Sequence, residues 1–180
     1  HLEIAVSTFD NGWSTPDVIN DTTSKGVNYS PAVTAYGNGA MVAWIYNSEN
    51  EMIEKDRVDS IKYAVYDGTA WSAEKTIPLM KADGGENGEG EALEAGISDI
   101  SLVEENGVVY MTFAVNTYEA GSSDNEAAPA AEGEEQSHMI SKKYYTMKYS
   151  GDGTECVWSP MANRLSTAYT SDSFCEFVRV

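Results

Sequence analysis

Residues 64–78 read "AVYDGTAWSAEKTIP", two alternating runs joined at Asp67-Gly68, with Trp71 followed at once by Ser72. Asp-Gly is a turn pair because both residues accept the positive φ that two-residue hairpin turns demand. The same grammar occurs twice more. "AVSTFDNGWSTPDVI" (residues 5–19) carries Asp10-Asn11-Gly12 and then Trp13-Ser14, and "MKYSGDGTECVWSP" (residues 147–160) carries Gly151-Asp152-Gly153 and then Trp158-Ser159. Three occurrences make the hairpin part of a repeat, so the remainder of the unit is to be sought beside each copy.

Upstream of the middle copy lies "SPAVTAYGNGAMVAWIY" (residues 30–46), and upstream of the last lies "SDISLVEENGVVYMTFAV" (residues 98–115). Each is a pair of apolar runs around a glycine turn, Gly37-Asn38-Gly39 or Asn106-Gly107, and Trp44 and Phe113 stand at matching places. Val, Ile, Tyr, Thr and Trp dominate the runs and turn residues separate them, which predicts strands. The unit has four. In the middle copy they fall near 31–36, 40–46, 59–66 and 71–77; in the last, near 98–104, 108–115, 140–149 and 156–160. The chain opens on a third and fourth strand (3–9 and 13–19) and closes on "SFCEFVRV" (residues 173–180), which reads as a first strand. The organisation is therefore one all-β domain or segment: residues 1–20 end one unit, 29–79 and 97–160 are whole units, and 165–180 begin another.

A four-stranded antiparallel unit with "PAV…GNGAMVAW" as its inner pair and "YAVYDG…WS" as its outer pair resembles a β-propeller blade, and more narrowly the sialidase-like, Asp-box-related blades of secreted and surface proteins of bacteria. The resemblance covers nearly all of the chain outside two long loops. The Asp box reads roughly Ser-x-Asp-x-Gly-x-x-Trp. Its closest counterparts are Asp10, Gly12 and Trp13; Asp67, Gly68 and Trp71; and Asp152, Gly153 and Trp158, all departing from the strict spacing. In such blades the motif is structural and lies away from the ligand face. Propellers close with roughly four to eight blades, so the resemblance implies a partial propeller completed by blades of the same or another chain. A two-sheet β-sandwich is the alternative that short strands with turn signals also allow.

Sialidase-like enzymes hold a carboxylate with three arginines. Only Arg57, Arg164 and Arg179 are available, and none opens an inner strand, so that catalytic set does not carry over. Glycoside hydrolysis in general needs a carboxylate pair at a defined separation, and 29 acidic residues nominate no pair. His1 is terminal and His138 lies in a long loop, which leaves no Ser or Cys triad. No catalytic residue is assigned. Trp44, Tyr46 and Tyr118 lie at or beyond the ends of second strands, where aromatic rings could stack on sugars or anchor a protein; for Trp44 and Phe113 the alternative is packing between blades. The expected function is a non-catalytic binding or scaffold segment of a secreted or cell-surface bacterial protein, recognising a glycan or protein through its loop-rich face. Two alternatives stand beside it: a fragment of a glycoside-active propeller enzyme whose catalytic residues lie elsewhere, and a purely structural spacer.

The 180 residues suffice for one core, and 29 acidic against 11 basic residues give a formal charge of −18. That field repels nucleic acid and anionic membrane surfaces. No apolar stretch reaches the roughly 20 residues needed to cross a bilayer, and no signal or anchor is visible. In the blade arrangement that the resemblance implies, Cys156 and Cys175 fall on strands of different units, so two thiols are expected rather than a disulfide, which allows about 7 Å between Cα atoms; they also lack metal-site spacing. "MKADGGENGEGEALEAG" (residues 80–96) offers carboxylates on a flexible backbone, as calcium loops do, but without their Asp-rich pattern; it reads first as a solvated connection. "NTYEAGSSDNEAAPAAEGEEQSHM" (residues 116–139) reads as blander still. Asn20 and Asn28 each begin an Asn-x-Ser/Thr sequon. The long connections, together with residues 47–57, are expected at one rim.

Overall fold

The computed structural model describes residues 2–50, 58–77, 79, 95–118, 139–150 and 157–160. It is all-β among these residues, with ten strands. A short pair, β1 (Ala5–Val6) and β2 (Asp17–Val18), precedes two antiparallel four-stranded sheets. The middle sheet runs in chain order through β3 (Val27–Tyr36), β4 (Gly39–Asn47), β5 (Asp59–Tyr66) and β6 (Lys75–Ile77). The last sheet runs through β7 (Gly96–Glu105), β8 (Val108–Tyr118), β9 (Met139–Ser150) and β10 (Val157–Pro160).

Turn chemistry sets the register. Asn106 and Gly107 both have positive φ (54° and 82°), the backbone of a type I′ hairpin, and Glu105 pairs with Val108 across them. In the middle sheet the loop is Gly37-Asn38, with Gly37 at φ 55° and Tyr36 paired with Gly39. Both first strands start earlier than residues 31 and 98, where the apolar runs begin. The difference is a bulge, between Tyr29 and Ala32 in β3 and between Ser98 and Ser101 in β7. Ser30 and Asp99 sit in it with φ of 51° and 53°, so two irregular residues read as a loop although the ladder resumes beyond them.

The bulges and turns align the two sheets residue by residue. Ala32 pairs with Ala43 and Ser101 with Thr112 directly after the bulge, which makes Trp44 equivalent to Phe113 and Val33 to Leu102. The β1–β2 pair aligns with β5–β6: Ile19 N donates to Ile4 O as Ile77 pairs with Ile61, and Phe9 bridges Trp13 as Tyr66 bridges Trp71. The hairpin is therefore a structural repeat in these two copies, and in the last sheet Trp158 pairs with Tyr149 at the equivalent place.

The middle sheet has apolar neighbours on both faces. Met41, Ala43, Ile45, Ile61 and Tyr63 on one face pack with Leu102, Val109, Met111, Phe113, Met147 and Tyr149 of the last sheet. Val42, Trp44 and Ala64 on the other face pack with Ile4 and Ile19 of the first pair. This accounts for the unbroken apolar run of β4, because a strand covered on both sides cannot alternate with polar residues. The fourth-strand tryptophans follow one rule. Each sits beside a third-strand aromatic of its own repeat, with ring centroids 5.4 Å apart for Phe9–Trp13, 5.3 Å for Tyr66–Trp71 and 5.2 Å for Tyr149–Trp158. Trp158 also meets Tyr63 of the preceding sheet, and Trp71 packs on the cluster formed with the preceding pair.

The serine after the tryptophan has a fixed task. Ser14 Oγ accepts Thr8 N while its own N–H reaches Thr8 O; Ser72 Oγ accepts Val65 N while its N–H reaches Val65 O. Each closes the gap where the ladder is interrupted between third and fourth strands. Ser72→Ala is expected to lower unfolding free energy by about 1 kcal/mol, the ordinary net worth of one hydrogen bond, in urea unfolding; Ser72→Thr retains most of it.

Candidate binding rim

Short turns gather at one end of the sheets and long connections leave from the other, where β4 ends, β5 and β7 begin and β8 ends. At this end β4, β5 and β8 carry several buried polar residues. Asn47, Asp59, Lys62 and Asn116 all have little exposed surface.

Asp59 joins the sheets. Its Oδ2 accepts Ile97 N of β7 at 2.7 Å, its Oδ1 accepts Asn47 Nδ2 at 3.1 Å, and its own N–H donates to Ala95 O at 3.0 Å. The first pair makes the equivalent joint with a main-chain carbonyl: Asn28 N donates to Leu2 O at 3.3 Å. Asn116, the counterpart of Asn47, turns instead to Ser98, donating to its Oγ at 3.2 Å.

On the opposite face of β5, the face that looks toward the first pair, lies a charged cluster. Lys62 forms an ion pair with Glu74, and its Nζ lies 3.8 Å from the centroid of the Tyr46 ring. Glu74 Oε2 also accepts Asp21 N at 2.9 Å. A buried ammonium requires such partners, since taking an unpaired charge out of water costs several kcal/mol or more. The Tyr46 ring is half-buried, and its Cε2–Cζ edge comes so close to Gly26 that a Cβ there would stand 2.5 Å from Cε2. Only glycine fits at position 26. Tyr46 thus has one ring face occupied by its own lysine.

On the last sheet Asp99 Oδ2 pairs with Lys142 and accepts Tyr144 Oη at 2.8 Å. Burial pushes the Asp99 carboxyl up, but the bonds from Lys142 and Tyr144 outweigh it and hold the group below its ordinary value.

Of the aromatic residues proposed for binding, Trp44 has no exposed surface, and its Nε1 donates to Asn28 Oδ1 at 2.8 Å inside the core. It packs between the first pair and the middle sheet and offers no ring to a ligand. Phe113 is likewise buried. Tyr46 lies at the rim as described, and Tyr118 ends β8. The sequon residues are structural: Asn20 Oδ1 accepts Ile4 N, and Asn28 donates to Leu2 O while accepting from Trp44. Both are buried, with no room for a glycan.

The turn motif behaves locally. Asp67 Oδ1 accepts the N–H groups of Thr69 and Ala70 at 2.7 and 2.9 Å, and Gly68 takes φ 99°, which a side chain would strain. Asp10 and Gly12 form a turn one residue shorter, with Asn11 at φ 56°. The bonds from Ala70 and then Thr69 hold the Asp67 carboxyl below its ordinary value of 3.8. A depressed carboxyl contributes stability that is present above the unfolded value and is lost as pH falls through the folded one. A carbon-detected titration should place the Asp67 midpoint below 3.8, and Thr69→Pro, which removes one donor, should raise it.

Asp152 and Gly153 lie outside the described residues. So do Cys156, Cys175, His138, the three arginines, the carboxylates of the acidic 80–96 loop and the closing stretch 173–180. Among the described residues, no group of three or more His, Cys, Asp or Glu side chains is placed to hold a metal ion, and no helix is long and apolar enough to cross a membrane. Comparisons with protein-family models, curated proteins and solved structures find no match to this chain.

Proposed function

We propose that the chain is a run of β-propeller blades of the sialidase-like, Asp-box type, serving as a non-catalytic binding and scaffold segment of a secreted or cell-surface protein. The observation that carries this reading is the repeated inter-repeat packing. Trp71 packs toward the preceding pair and Trp158 meets Tyr63 of the preceding sheet, so successive units stack face to face in one direction, as blades do around an axis. A two-sheet sandwich has no reason to bury its middle sheet on both faces.

Ligand recognition belongs to the rim from which the long connections leave. The Asp, Ser and Trp of the repeated hairpin are committed to turns and strand closure at the other end, while Tyr46 stands at the rim over a fixed cation. A glycan or protein surface would meet the unoccupied part of that tyrosine. The test is a glycan array probed with the full chain, run beside a panel of chromogenic glycosides. Binding without turnover, lost in Tyr46→Ala at a temperature where circular dichroism shows that variant still folded, is the expected result. Turnover would overturn the non-catalytic reading, and a blank array would leave the spacer alternative.

A further inference from the structure

Three Asn-Gly pairs lie among the described residues, Asn11-Gly12, Asn38-Gly39 and Asn106-Gly107. In such a pair the glycine nitrogen can attack the side-chain carbonyl carbon of the asparagine, because glycine has no Cβ to hinder the approach and lets the backbone turn. The fold treats the three pairs differently. Gly39 is locked in place: it opens β4 opposite Tyr36, and a Cβ built on it would collide with Tyr66 O. Gly12 and Gly107 have nothing within 4 Å of that position, so both turns have room to close a ring.

Asn106-Gly107 carries a feature of its own. Gly107 N donates to Glu104 Oε1 at 2.6 Å, at the tip of a hairpin whose two turn residues take positive φ. Asn106 and Gly107 are exposed, and Glu104 and Glu105 are the last residues of β7. Ring closure needs the Gly107 N–H to give up its proton and the nitrogen to swing onto Asn106 Cγ. Glu104 opposes both. The hydrogen bond directs the N–H at the carboxylate, and an amide losing its proton there would place two negative charges side by side.

We infer that Asn106 is a modification site, converted to aspartate and isoaspartate through a cyclic imide with Gly107, and that Glu104 sets the rate by holding the Gly107 N–H. In the first step the bond from Gly107 N to Asn106 Cγ forms, the Cγ–Nδ2 bond breaks, and ammonia leaves with the proton from Gly107 N. Water then opens the imide at either carbonyl, so no oxidant or reductant enters. Opening at the former side-chain carbonyl gives aspartate; opening at the main-chain carbonyl gives isoaspartate and adds a methylene to the backbone. A two-residue turn closed by the Glu105–Val108 pair cannot take up an extra backbone atom and keep that register. Glu104 therefore sets the lifetime of the β7–β8 turn, independently of any ligand at the rim.

The test incubates the full chain and its Glu104→Ala and Glu104→Gln variants in mildly alkaline buffer and follows the Asn-to-Asp mass gain at each pair by peptide mapping. Expected is product at position 106 in the wild type, formed about tenfold faster in Glu104→Ala, the scale of one lost charge-assisted hydrogen bond. Glu104→Gln keeps an acceptor oxygen without the charge and should fall between. Asn11 is the internal reference and keeps one rate in all three proteins. Amide exchange at Leu102 and Met111, paired in the same ladder, reports whether the hairpin stays closed. Absence of product at 106 in the wild type and both variants overturns the inference, as does a rate indifferent to Glu104. A slower rate in either variant also overturns it, by making the carboxylate a base. So does acceleration confined to Glu104→Ala and matched by faster exchange at Leu102 and Met111, since the hairpin itself is then lost.

Discussion

Trp44→Ala is expected to lower the unfolding free energy by about 4 kcal/mol, within the range found for large aromatic deletions from cores. Trp44 is fully buried between the first pair and the middle sheet, so its removal opens a cavity beside Val42 and Ala64 that the rigid strands on either side cannot fill. It also takes the donor from Asn28 Oδ1, an acceptor inside the core. Asn28 in turn donates to Leu2 O, so the loss spreads to the attachment of the first pair. Marginal stabilities of about 5–15 kcal/mol leave little margin for such a change. Trp44→Phe retains most of the volume and loses only the indole N–H, and should cost about 1–2 kcal/mol. Urea unfolding of the three proteins gives the ordering; an alanine variant as stable as wild type would mean that position 44 is not enclosed.

The second large effect is at Asp59. Replacing it by alanine withdraws the acceptor from two buried donors, Ile97 N and Asn47 Nδ2, each worth about 1–3 kcal/mol when stranded. About 3 kcal/mol of destabilisation is expected. It should be local before it is global: the Ile97 amide, at the seam between the sheets, should exchange much faster, while amides in the middle of β4 keep their relative protection. Asp59→Asn leaves one carbonyl oxygen and should fall between. Equal loss in the asparagine and alanine variants would show that charge, rather than the paired acceptors, holds the seam.

The repeated hairpin made the fold readable. Asp-Gly, Asn-Gly and the Trp-Ser pairs fixed where strands turn, and the apolar runs around Trp44 and Phe113 fixed which strands are inner. β4 and β8 fall where that pattern places them, and the structure lengthens β3 and β7 only through their bulges. Bulges leave little trace in composition: Ser30-Pro31 reads as a break, and only the resumed pairing at Ala32 reveals a continuing strand.

The rim was much less legible. Asp59 is one acid among 29 and Lys62 sits where alternation in β5 would point it to water. Their burial depends on partners 12 to 38 residues away, Glu74, Asn47 and Ile97, and such distant pairings follow only once the stacking of repeats is known. One signal was present. The continuous apolar run of β4 implies cover on both faces, and a strand beside it then cannot leave a lysine unpaired. The same reasoning separates Trp44 from Tyr46: two residues apart on one face of β4, one lies inside the stack and the other at its end.

The most direct measurement of the stacking is a nuclear Overhauser spectrum of the aromatic protons of the full chain. Tyr36–Tyr149, Tyr63–Tyr149 and Tyr63–Trp158 have ring centroids 5.6, 5.7 and 5.8 Å apart, and every pair joins the middle sheet to the last. Cross-peaks for all three, beside those of Tyr66–Trp71 within one repeat, are the predicted result. Intra-repeat peaks with none between Tyr63 and either Tyr149 or Trp158 would contradict the stacking, and with it the blade reading.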